Sequence, residues 1–112
     1  MLFLGLGLGL VLGAQAHSRL IESVPADGAV LAAAPTTIVL RFDGLVEPAL
    51  GRMVLEREPP VVLVRLTEGA DAREAIAALP PLAPGAHRIT WRVVSRDGHP
   101  VTGELRFVVQ AR

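Results

Sequence analysis

Cysteine is absent from this chain of 112 residues. That excludes a disulfide framework, a thiolate metal site and a CxxC redox pair, and it removes cysteine usage as a guide to compartment. Tyrosine is absent as well, and aromatics make up only 4% of the residues, too few to build a surface that stacks on sugars. Net charge is also missing. Eleven basic residues balance 11 acidic ones, so the chain lacks the basic footprint of a nucleic-acid binder. Of the two methionines, Met1 belongs to the apolar start, which leaves Met53 as the one thioether in the rest. A soft Cu(I) site takes several such ligands.

The apolar start runs from Leu2 to Gly13. It is too short to span a bilayer comfortably but matches a signal h-region in length. Ala14-Gln15-Ala16 is a small-x-small cleavage pattern, although no Lys or Arg precedes Arg19 to make a positive n-region. The expected organisation is an export leader over 1–16 that is cut off, followed by one small domain over 17–112. The expected compartment is the periplasm. An uncleaved N-terminal anchor is the alternative.

Beyond the leader, turn residues punctuate short β-prone runs. Arg19 to Val24 is a candidate strand, closed by the turn Pro25-Ala26-Asp27-Gly28. Ala29 to Pro35 reads as a small-residue connection. Thr36 to Phe42 alternates, with Ile38, Leu40 and Phe42 on one side. Asp43-Gly44 and Glu47-Pro48 break that pattern, Gly51 to Arg57 resumes it with Met53 and Leu55 inward, and Val61 to Leu66 is strongly β-prone. Residues 71–79 are good helix formers that Asp71 would cap, yet nine residues are marginal for a helix. His87 to Ser95 is the clearest strand, with Ile89, Trp91 and Val93 sharing a face, and Gly103 to Gln110 closes the chain. The expected fold is all-β, a small antiparallel sandwich or barrel.

A cut after Ala16 gives His17 a free α-amine. The amine and imidazole of one terminal histidine chelate a single metal ion. Asp97-Gly98-His99-Pro100 offers a carboxylate and a second imidazole, and in extended backbone positions i and i+2 project to one side. Pro100 pushes His99 toward such a backbone. A nitrogen-rich set with one carboxylate suits tetragonal Cu(II), which also leads the divalent affinity order. The metal ligands expected are therefore His17, Asp97 and His99. Taken alone, Asp-Gly-His-Pro is a common turn. His87 reads as a strand-end or partly buried residue rather than a ligand; Asp43, Glu47 and Glu22 are candidate outer ligands, with surface solvation the favoured reading for each.

The chain resembles the CopC family of periplasmic copper-binding proteins. The resemblance rests on His17, Ser23-Val24-Pro25-Ala26-Asp27-Gly28, Ala34-Pro35, Ile38-Val39-Leu40-Arg41-Phe42 and Leu82-Ala83-Pro84-Gly85. Its most specific part runs from Trp91 to Gly103, similar to a WRxxSxDxHxxxG signature. It implies a Greek-key β-barrel of cupredoxin-like or immunoglobulin-like appearance. It also implies one Cu(II) on His17, Asp97 and His99, and an inner-membrane copper-transport partner of the CopD type. It favours strand or loop over helix for residues 71–79. Some members place a glutamate after the phenylalanine of the second strand, where this chain has Gly44. Some carry a methionine-rich loop, where it has only Met53.

The function expected is non-enzymatic Cu(II) handling by a monomer with no nucleic-acid partner. Two alternatives stand beside it: an oxidative copper enzyme with a terminal-histidine site, and a metal-free β-module that contacts a membrane partner.

Overall fold

The computed structural model describes residues 18–63, 66–68 and 71–111. Nine strands follow one another along these residues: β1 (Leu20–Val24), β2 (Ala29–Leu31), β3 (Thr37–Phe42), β4 (Val46–Leu55), β5 (Val61–Leu63), β6 (Leu66–Glu68), β7 (Glu74–Ala78), β8 (Gly85–Ser95) and β9 (Pro100–Val109). They form two sheets, ordered β1-β3-β7-β6 and β2-β9-β8-β4-β5. Many neighbours are distant in sequence, so the connections cross between sheets in the Greek-key manner. The expected all-β sandwich is what forms.

Alternation builds the core. Ile38, Leu40 and Phe42 point inward from β3, Ala75 and Ala77 from β7, Met53 and Leu55 from β4, Ile89, Trp91 and Val93 from β8, and Leu105, Phe107 and Val109 from β9. The Phe42 and Trp91 rings meet edge to face, 5.7 Å apart at 78°, a favourable aromatic geometry. Met53 is fully buried, so its thioether is a core group. Residues 74–78 form a strand between β3 and β6. Ala75 and Ala77 are fully buried in the core, and this pairing and packing outweigh helix propensity.

Three stretches depart from the expected pattern. Ala29 to Leu31, expected as a connection, pairs with β9 in parallel. The turn before it dictates this: Asp27 Oδ1 accepts the Arg106 N–H at 2.9 Å, and Gly28 N–H donates to the Arg106 carbonyl at 2.6 Å. Strand β4 starts at Val46 rather than Gly51. It runs through an irregularity between Glu47 and Arg52, where Pro48, which has no N–H to give a ladder, is tolerated. The run expected over Val61 to Leu66 is two pieces, β5 in one sheet and β6 in the other.

Candidate metal centre

The hairpin between β8 and β9 carries the candidate ligands. Gly98 N–H donates to the Ser95 carbonyl, and Ser95 N–H to the His99 carbonyl, both at 2.8 Å. Gly98 has φ +95°, so the loop Arg96-Asp97-Gly98 is a turn closed by a left-handed glycine, a standard three-residue hairpin. Asp97 and His99 therefore converge through a turn, not through the extended backbone that their i, i+2 spacing suggests.

The pair is held closely. Asp97 Oδ1 accepts the Ser95 hydroxyl and, at 3.2 Å, the His99 N–H. Its other oxygen, Oδ2, lies 3.2 Å from His99 Nδ1. Ser95 itself is buried, so it reaches Asp97 from the protein side. The Ser95 hydrogen bond is the main reason that the Asp97 carboxyl is lowered from 3.8 to about 2, with smaller help from the His99 N–H and imidazole and opposition from desolvation. A carboxylate held this way stays ionised and ready for a cation at all but strongly acidic pH.

Replacing Ser95 with alanine is expected to return the Asp97 carboxyl toward 3.8. It should also lower the stability of the fold at neutral pH, because that hydrogen bond is lost. The sign follows from linkage: a depressed carboxyl stabilises the fold above its unfolded value, and that contribution disappears as pH falls through about 2. A carbon-detected NMR titration of Asp97 in parent and variant reads the change directly.

The start of the described chain reaches the base of this hairpin. Ser18 is buried, and its hydroxyl donates to the Leu45 carbonyl at 3.0 Å. The same carbonyl accepts the Arg96 N–H at 2.9 Å. Residues 18 and 96 thus converge on one acceptor. Asp43 clamps the next residue, accepting the Arg19 N–H at 2.7 Å and returning its own N–H to the Arg19 carbonyl at 2.9 Å. Glu47 pairs with Arg96 at 2.6 Å. Asp43 and Glu47 are surface groups as read from sequence, their side chains 43% and 42% exposed, and they also fasten the segments around the hairpin. Gly44 has Ser18 over it, and a Cβ there would lie 2.7 Å from Ser18 Oγ. A glutamate at that position would displace Ser18.

Of the three ligands expected, Asp97 and His99 lie together, while His17 and the leader over 1–16 lie outside the described residues. Among the described residues no three His, Cys, Asp or Glu side chains cluster to hold a metal. The third histidine, His87, lies 2.8 Å through Nε2 from the Ala83 carbonyl and packs against the Phe107 ring, a structural role as expected. The residue that sequence reasoning undervalued is Ser95. Its signal was a lone polar residue continuing the inward series Ile89, Trp91, Val93.

The CopC domain family matches residues 20–110. The chain belongs to the CopC family. Copper resistance protein C of Pseudomonas syringae pv. tomato is 36% identical over 106 residues, covering 87% of this chain and 83% of the relative. The crystal structure of CopC from Methylosinus trichosporium OB3b superposes with a TM-score of 0.75 at 34% identity, covering 84% of this chain and 94% of that one. PcoC, a methionine-rich copper resistance protein from Escherichia coli, gives 0.68 at 30% identity, covering 85% and 100%. Against that methionine-rich relative, this CopC-family chain has two methionines, and Met53 is enclosed in the core.

Proposed function

We propose that this chain is a non-enzymatic copper-handling protein of the periplasm that holds one Cu(II) ion through His17, Asp97 and His99. Removal of residues 1–16 frees the His17 amine, and the protein works as a monomer that stores the ion or passes it to an inner-membrane transporter of the CopD type. The observation that carries this is the braced Asp97–His99 pair in a chain whose relatives are copper resistance proteins.

The donor chemistry fits. Two cis donors of one small divalent ion, each about 2.0–2.2 Å from it, stand about 3 Å apart, and Asp97 Oδ2 and His99 Nδ1 are 3.2 Å apart. One carboxylate with nitrogen donors suits Cu(II). Ser18 supports the role of the terminus, because it is anchored at the base of the hairpin and His17 is bonded to it. The α-amine, with a reference value of about 8, must lose its proton to bind, so affinity falls on acidification. Asp97, at about 2, stays ionised throughout that fall.

Thermal melts with and without Cu(II) test the proposal. A ligand that binds only the folded state stabilises it, by about 2.7 kcal/mol at a hundredfold excess over Kd. An unchanged Tm identifies a metal-free module. Reductant-dependent peroxide or oxidised-sugar formation above the free-copper background identifies an oxidative enzyme.

A further inference from the structure

Lysine is absent from the chain, so all 11 cationic side chains are arginines. Five of them, at 52, 88, 92, 96 and 106, lie on or beside the outer face of the five-stranded sheet. Strand register sorts them. Arg88 and Arg106 are direct cross-strand partners, and Glu104 bridges both, at 3.3 Å and 2.8 Å. Arg96 has Glu47. Arg52 and Arg92 are likewise direct cross-strand partners and exposed, yet neither has a carboxylate among the described residues.

Like charges directly opposite each other are destabilising in a sheet. The same face shows how that repulsion is relieved at Arg88 and Arg106: a carboxylate lies between the two guanidiniums. At Arg52 and Arg92 the neighbouring carboxylates are already engaged, Glu104 with the other arginine pair and Glu56 as acceptor of the Thr90 hydroxyl at 2.8 Å. What remains is a shallow depression lined by both arginines with Val54, Thr90 and Thr102, and bordered by the engaged Glu104.

We propose that Arg52 and Arg92 form a docking site for an acidic segment of a partner protein, whose carboxylate takes the place that Glu104 fills beside them. Guanidinium forks match carboxylates in two-point contacts, and an open sheet face admits a polypeptide. Arg92 pairs with Thr102, two steps from the Val94–Pro100 pair that leads into the Asp97–His99 turn. A partner seated here lies beside that hairpin. The site is independent of the copper reading, since it uses neither Asp97 nor His99.

The test is an NMR titration of the full ¹⁵N-labelled chain with a hexaglutamate peptide at low ionic strength. Shifts should centre on Arg52, Val54, Thr90, Arg92 and Thr102. The double variant Arg52→Ser, Arg92→Ser should bind at least about tenfold more weakly, the equivalent of one charge-assisted hydrogen bond. Its Tm should equal or exceed that of the parent, because a like-charge pair has gone. Shifts spread evenly over all arginines, unchanged binding by the variant, or a lowered Tm would overturn the proposal. So would the same shifts from inorganic phosphate at equal concentration, which mark a small-oxyanion site, or binding to phosphatidylglycerol vesicles without binding to the peptide, which marks a membrane face.

Discussion

Replacing His99 with alanine is expected to weaken Cu(II) binding by at least about a hundredfold, above the 10–100-fold typical of outer-shell partners. The metal-free fold should barely respond. The His99 side chain is 58% exposed, and the bonds that close the hairpin come from its backbone, so stability should stay within about 0.5 kcal/mol. Asp97→Ala should weaken binding as well, while also releasing the Ser95 hydroxyl. Competition with a chelator of known affinity measures both variants, and Trp91, the single tryptophan, offers a fluorescence readout. Parent-like affinity in both would show that the hairpin is not the site.

The second large effect concerns the glycine that ends the signature. Gly103 pairs with Trp91 across β8 and β9, and the indole lies against it. A Cβ at position 103 would come within 2.3 Å of Trp91 Cζ2 and 2.6 Å of Cε2. The ring is buried and meets Phe42 edge to face, so relieving the overlap means shifting a large core side chain. Gly103→Ala should therefore cost about 3 kcal/mol, at the upper end for overpacking a core. In a domain of this size that lowers Tm by roughly 12–24 °C. The cause is checked by a double-mutant cycle with Trp91→Leu. In the smaller-ring-free background the glycine substitution should cost little. An equal cost in both backgrounds would show that the indole is not what Gly103 accommodates.

The spacing of Trp91 and Gly103 in the sequence thus encodes a packing contact, while Ser95, Asp97 and His99 between them form the hairpin proposed to hold the metal. Much of this was legible beforehand. The period-two series in β3, β8 and β9 located the strands and their inward faces, because both sheets have one buried side and a slip by one residue would expose the whole series. Strand β2 was illegible, because three residues next to an alanine run carry no periodicity. Its place depends on Asp27 reaching Arg106, 79 residues away. The early start of β4 was hidden by Pro48, whose cost vanishes where the ladder is irregular. At the proposed site, the closeness of Asp97 and His99 was legible from their spacing. The Ser95 brace and the shared Leu45 carbonyl were not, since a hydroxyl and a backbone oxygen acquire meaning only once the hairpin and residue 18 are in place.

The most direct measurement is a Cu(II) titration, followed by EPR, of residues 17–112 with a free His17 amine beside the same chain bearing one extra residue before His17. The free-amine form should take up one equivalent and give a tetragonal, nitrogen-rich signal, and the extended form should bind more weakly, because its amine has left the chelate. Equal affinity would remove the terminus from the site, and no specific signal in either form would contradict the copper assignment altogether.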